Sequence, residues 1–161
     1  MDESIFGRVV VPVANEGDAR STATALRPYV ESAGGTAVAV HVVEKAGGAP
    51  DKASVEQREW NTVEMFEAFH RAFTESDCEV DTEILFGTDV AETVIEYAHE
   101  ARATAVVYTP RGGGRWAKLL SGDVTEHLLT ETDLPVVVLP EEAAALTDDE
   151  TVANQPRKDE Q

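Results

Sequence analysis

Short apolar runs alternate with stretches of helical periodicity along most of the chain. Arg8-Val9-Val10-Val11-Pro12-Val13 is a β-branched run closed by Asn15 and Gly17, which predicts a buried strand with a proline at its end. Ala19, Ala23, Leu26 and Val30 then recur at helical spacing, and Gly34-Gly35 closes the segment. Pro28 inside it predicts a kink or a boundary. Thr36 to Val43 is a second strand. A loop then leads to a long helix with Val63, Phe66, Phe69 or His70, and Phe73 on one face, and Trp60 packed near its start.

Glu79 to Phe86 predicts a third strand, ended by Gly87-Thr88-Asp89. Asp89 and Glu92 have the spacing of a capping box, and Ala91, Val94, Ile95 and Ala98 form one helical stripe. Ala103 to Tyr108 is a fourth strand. A glycine-rich loop follows, then a fourth helix beginning over Val124 to Leu129, and Leu134 to Pro140 is a fifth strand. The strands read as continuously apolar, and each is separated from the next by a helix. Parallel strands need such crossovers, and helices must then cover both faces of their sheet. The pattern predicts an α/β domain: a doubly wound, Rossmann-like, five-stranded parallel sheet over 5–140. Ligands in such folds lie beyond the carboxyl ends of the strands, so the loops after Val13, Val43 and Tyr108 are the places to search.

Composition narrows the function. The 161 residues carry a formal net charge of −18. Nucleic acids and anionic membranes are polyanions, so neither is expected as a partner. Salt of about 1 M shortens the Debye length to about 3 Å and silences such self-repulsion, so the balance suggests a salt-adapted cytoplasm, that of a halophile. Cys78 is the single cysteine, which removes intramolecular disulfides and cysteine metal sites. The first residues show no signal-peptide pattern and no run reaches the length of a membrane span, so the expected location is cytoplasmic. The segment 141–161 is acidic and lacks aromatic residues, as disordered tails do.

Against that acidity one segment stands out. Between Ala101 and Gly122 there are four cations, Arg102, Arg111, Arg115 and Lys118, and no acid. Amides of a glycine-rich turn and a helix N-terminus can cradle an anion. The alternative is a flexible loop whose cations pair with nearby acids.

This loop and the order of elements around it resemble the universal stress protein family (UspA-like domains). The matching stretches are VVVPVANEGDARS, VAVHVVE with His41, FGTDVAETVIEYAHE, Val106 through Gly122, and DLPVVVLP. The resemblance implies an adenine-nucleotide-binding type of fold. It implies a pocket with Val13 and Val42 near adenine. Arg111, Gly112, Gly113 and the Gly122 amide would hold phosphates, with Thr109, Asp123 and Val124 at the remaining motif positions. ATP, with Mg²⁺ if bound, would be the ligand. It also implies a homodimer through the last strand, at Val136, Val137, Val138 and Leu139.

The chain departs from the ATP-binding motif of that family. Gly112 and Gly122 keep the spacing, but Thr109 stands at the first glycine and Asp123 at the hydroxyl residue. Ala14 replaces the aspartate that binders carry after the first strand. Losing one ordinary hydrogen-bond acceptor costs about 1 kcal/mol. Asp123 weighs more: a carboxylate about 4 Å from one phosphate charge is repelled by about 4 kcal/mol at an effective dielectric near 20, nearly three decades in affinity. An acid there also stabilises the helix that it begins.

Other constellations point to ordinary structure. His41, His70, His99 and His127 show no metal-ligand spacing. His41 reads as a satisfied strand histidine, and Asp123 with His127 as a helix-surface ion pair. Ser121 lacks the G-x-S-x-G elbow and no Walker loop is present. Two functions remain. One is a non-enzymatic, dimeric stress-response regulator with a degenerate nucleotide pocket, working through protein partners. The other is an ATP-binding switch with little or no hydrolysis.

Overall fold

The computed structural model describes residues 4–44, 52–109 and 133–139. They form eight elements in chain order: β1 (Arg8–Pro12), α1 (Glu16–Ala33), β2 (Thr36–Glu44), α2 (Lys52–Ala72), β3 (Glu79–Gly87), α3 (Val90–Glu100), β4 (Ala105–Tyr108) and β5 (Val136–Val138). The strands make one five-stranded sheet in the order β3-β2-β1-β4-β5, with every pairing parallel. This is the fold that the alternation predicts. The glycine loop, the predicted helix over Val124 to Leu129 and the tail 141–161 lie outside the described residues.

The two faces of the sheet bury different residues because strand side chains alternate. Val9, Val11, Val13, Ala37, Ala39, Ala105 and Val107 join Ala19, Ala23, Leu26 and Val30 of α1 and Met65 and Phe69 of α2 in one core. Val10, Val38, Val40, Val42 and Val106 pack with Val94 and Ala98 of α3 on the other. A residue on both sides of each central strand is therefore apolar, which is why β1, β2 and β4 read as continuous valine-alanine runs.

Local chemistry sets the helix ends. Asn15 caps α1, its side-chain oxygen accepting from the Asp18 amide at 2.8 Å, and Gly34 closes it at φ 63°. Asp89 caps α3 by accepting from the Glu92 amide at 2.9 Å, as the capping spacing predicts.

Several details differ from expectation. Pro28 ends nothing: α1 runs on to Ala33, and Thr24 and Pro28 are exposed, so water can donate to the Thr24 carbonyl in place of the missing Pro28 N–H. Among the described side chains of α2, Thr62, Met65, Ala68 and Phe69 are buried, with Phe73 following. Trp60 and Val63 point away from that stripe and are 62% and 49% exposed, so neither packs as predicted. The third strand is not continuously apolar. β3 is an edge strand whose polar residues alternate with apolar ones, and Phe86 and Ile84 are exposed. Strands four and five are shorter than their apolar runs, which extend beyond the hydrogen-bonded ladder.

Candidate functional site

β1 pairs with β2 on one side and β4 on the other, and the chain proceeds outward from it in both directions along the sheet. The carboxyl end of β1 is thus the topological switch point, where the strand ends leave a crevice. Two of the predicted site positions, Val13 and Thr109, fall at this edge, beside the strand histidine His41. Val13 continues β1 past Pro12, its amide donating to the carbonyl oxygen of Val40 at 2.9 Å. His41 of β2 donates from Nδ1 to the carbonyl oxygen of Val13 at 2.9 Å. A carbonyl can only accept, so Nδ1 carries the proton and the ring is fixed against the backbone. The β1–β4 register, Val9 with Ala105 and Val10 with Val106, carries Val13 to the level of Thr109.

The turn that leaves β1 is closed on itself. The Asp18 carboxylate is buried, 3% exposed, and its Oδ2 accepts the Ala14 amide at 2.9 Å. Thr22, also buried, lies with Oγ1 3.4 Å from Asp18 Oδ1. Asp18 therefore spends its carboxylate on the backbone of the turn and on α1. Sequence reasoning marked the missing acid at Ala14 and overlooked the acid four residues on. The sequence signal was a charged residue at a position whose helical neighbours, Ala19, Thr22 and Leu26, are buried.

Thr109 is the opposite case. It is 2% exposed, and its Oγ1 is the single buried side-chain polar atom among the described residues that has no hydrogen-bond partner. A buried hydroxyl left unpaired costs about 1–3 kcal/mol, so this position carries polar capacity that no described residue uses.

The two positions expected near adenine do not share a face. Val13 belongs to the core beneath α1 and α2, while Val42 belongs to the core beneath α3, and both are nearly fully buried. Arg111, Gly112, Gly113, Gly122, Asp123 and Val124 lie outside the described residues. Val136 and Val137 are half-buried, Val138 is 45% exposed, and Leu139 is buried in its own chain's core.

Elsewhere, a cleft of about 450 Å³ opens at the amino ends of β2 and β3, bordered by Glu31, Glu75, Asp77, Glu79 and Cys78. Its carboxylates oppose any anionic ligand, so the nucleotide question belongs to the other end of the sheet. Among the described residues no three metal-ligating side chains come together, and no helix is long and apolar enough to cross a membrane.

The model of the universal stress protein family matches residues 6–140, and the chain belongs to that family. The stress response protein NhaX of Bacillus subtilis is 33% identical over 78 residues, which are 48% of this chain and 46% of that protein. A universal stress family protein from Burkholderia pseudomallei has the same fold, with a TM-score of 0.64 at 22% identity over 86% of this chain and 99% of that one. So does the universal stress protein of Archaeoglobus fulgidus solved in complex with dAMP, with a TM-score of 0.59 at 16% identity over 84% and 98% of the two chains.

Proposed function

We propose that this chain is a non-enzymatic regulatory domain of the stress response, acting as a dimer through its last strand and through contacts with other proteins. Its nucleotide pocket is degenerate, so ATP with Mg²⁺ binds weakly or not at all. The observation that carries this reading is the β1–α1 turn. Its Ala14 amide is already held by buried Asp18, and position 14 offers no carboxylate of its own. Thr109 adds a β-branched side chain where the family's binders have glycine. Asp123 adds a negative charge where phosphate would lie. Dimerisation is supported by the place of β5 at the sheet edge with Val138 exposed. The net charge supports a cytoplasm rich in salt, as in a halophile.

Two observations favour the ATP-switch alternative. The unpaired Thr109 hydroxyl is a group that a ligand could complete, and the Archaeoglobus relative was solved with dAMP. Titrating ATP with Mg²⁺ into wild type and Asp123→Ser in molar KCl separates the readings. Under the degenerate-pocket reading the variant gains up to about three decades in affinity, the repulsion of about 4 kcal/mol removed. Equal and tight binding by both proteins supports the switch and rejects the repulsion argument.

A further inference from the structure

β3 is nine residues long and lies at the outer edge of the sheet, with β2 as its sole strand neighbour among the described residues. Natural edge strands are usually shortened, bulged, covered, interrupted by proline or studded with charges, because their free N–H and C=O groups invite another strand, and on β3 the device is a row of acids. β3 contains no proline and no lysine, and it pairs with β2 in unbroken register from Glu79 to Gly87.

Its two faces differ in chemistry. Val80 packs into the core beneath α1 and α2, and Leu85 into the core beneath α3. Alternation then puts Thr82, Ile84 and Phe86 on the side of Val80, and Glu79, Asp81 and Glu83 on the side of Leu85. Ile84 and Phe86 are 41% and 63% exposed, and all three acids are exposed and form no ion pair among the described residues. The acids extend a comb that begins in the preceding turn, with carboxylates at Glu75, Asp77, Glu79, Asp81 and Glu83, every second residue. The field of this comb reaches α3: burial first, and then Glu83 and Asp81, raise the Tyr97 phenol above its ordinary value.

A second copy of the chain fits this edge badly. Antiparallel pairing of the whole strand with itself sets Glu83 against Glu83, and a register one residue nearer the amino end sets Asp81 against Glu83 twice. Like charges directly opposite one another are destabilising. A strand with lysine or arginine at alternate positions meets the comb instead, at the same repeat of about 6.7 Å, while apolar residues between them meet Ile84 and Phe86.

We propose that the β3 edge is a docking site for an extended, basic segment of another protein, bound as a sixth strand with its cations on Glu79, Asp81 and Glu83 and its apolar residues on Ile84 and Phe86. This is the strand-addition mode of peptide recognition, in which backbone bonds give affinity and alternate side chains give specificity. It deepens the protein-partner part of the proposed function and is independent of whether ATP binds at the other end of the strands.

The test is titration of a short blocked peptide alternating lysine with valine or threonine, against an isomer with the same residues in two blocks, at low and at molar salt. Amide hydrogen exchange is followed on β3. We expect the alternating peptide to bind at least about ten-fold more tightly than its isomer and to slow exchange along β3. We expect Asp81→Lys/Glu83→Lys, both exposed sites, to lose that binding by about ten-fold or more with an unchanged circular dichroism spectrum. Equal affinity for the two peptides, slowed exchange elsewhere than β3, or unaltered binding by the double variant overturns the proposal. So does self-association of the peptide-free protein through β3. Failure on any of these counts leaves the ATP titration unaffected, so the two readings fail separately.

Discussion

The carboxylate of Asp18 accepts the amide hydrogen of Ala14 at 2.9 Å from inside the first turn of α1. The contact ties the end of β1 to the start of α1 and fixes the shape of the loop at the switch point. Removing one partner of a buried hydrogen bond leaves the other unsatisfied. Asp18→Ala is therefore expected to cost about 2–3 kcal/mol, read as a lower denaturant midpoint at unchanged m-value. A loss below about 0.5 kcal/mol, the scale of an ordinary surface substitution, contradicts this role.

Thr109 should behave in the opposite way. Its hydroxyl is buried and has no partner among the described residues, so Thr109→Val keeps the shape and removes an unpaired polar group. The ligand-free protein is expected to hold its stability or gain about 1 kcal/mol. Destabilisation of that size would mean the hydroxyl is bonded within the chain.

Gly35 is buried where the chain enters β2. A Cβ there would run into the carbonyl oxygen of Phe6 and lie 2.8 Å from that of Gly7, which accepts the Thr36 amide. These are backbone atoms, which cannot rotate aside. Gly35→Ala is expected to cost about 3 kcal/mol or more. Gly34→Ala, at φ 63° with open space around it, should cost only about 1 kcal/mol. Thermal melts of the pair give the comparison, and equal losses contradict it.

Tyr97 gives a pH signature. Burial, and next the Glu83 carboxylate, raise its phenol above the ordinary 10.0. The unfolded chain then ionises first as pH rises past 10, so the contribution of Tyr97 is intact below that point and is lost as pH climbs toward the raised value. Tyr97→Phe should flatten the alkaline decline in stability. Glu83→Gln should let the phenol ionise at lower pH, followed by tyrosinate absorbance against Tyr97→Phe. An unchanged titration in Glu83→Gln contradicts the attribution.

The architecture was legible because the central strands are apolar on both faces and the helices carry clear stripes. Val9, Val11 and Val107 serve one core, Val10 and Val106 the other, so each run is apolar at consecutive positions, as a strand buried on both faces is. β3 was misread because its valine, isoleucine, leucine and phenylalanine resemble a buried strand, and only the sheet order reveals that β2 is its sole strand neighbour among the described residues. Trp60 and Val63 were misplaced because a helix of moderate amphipathicity offers two stripes, and packing against α1 selects Met65 and Phe69. At the candidate site the motif spacing marked Thr109 and Ala14. The burial of Asp18 and the unpaired state of the Thr109 hydroxyl depend on contacts between distant segments, which spacing does not encode.

The measurement that bears most directly on the degenerate pocket is calorimetric titration of ATP with Mg²⁺ into the wild-type protein in molar KCl. The closed β1–α1 turn, Thr109 and Asp123 together predict no saturable heat until ATP reaches the millimolar range. Saturable binding with a micromolar Kd would contradict the account and establish the chain as a nucleotide-binding switch.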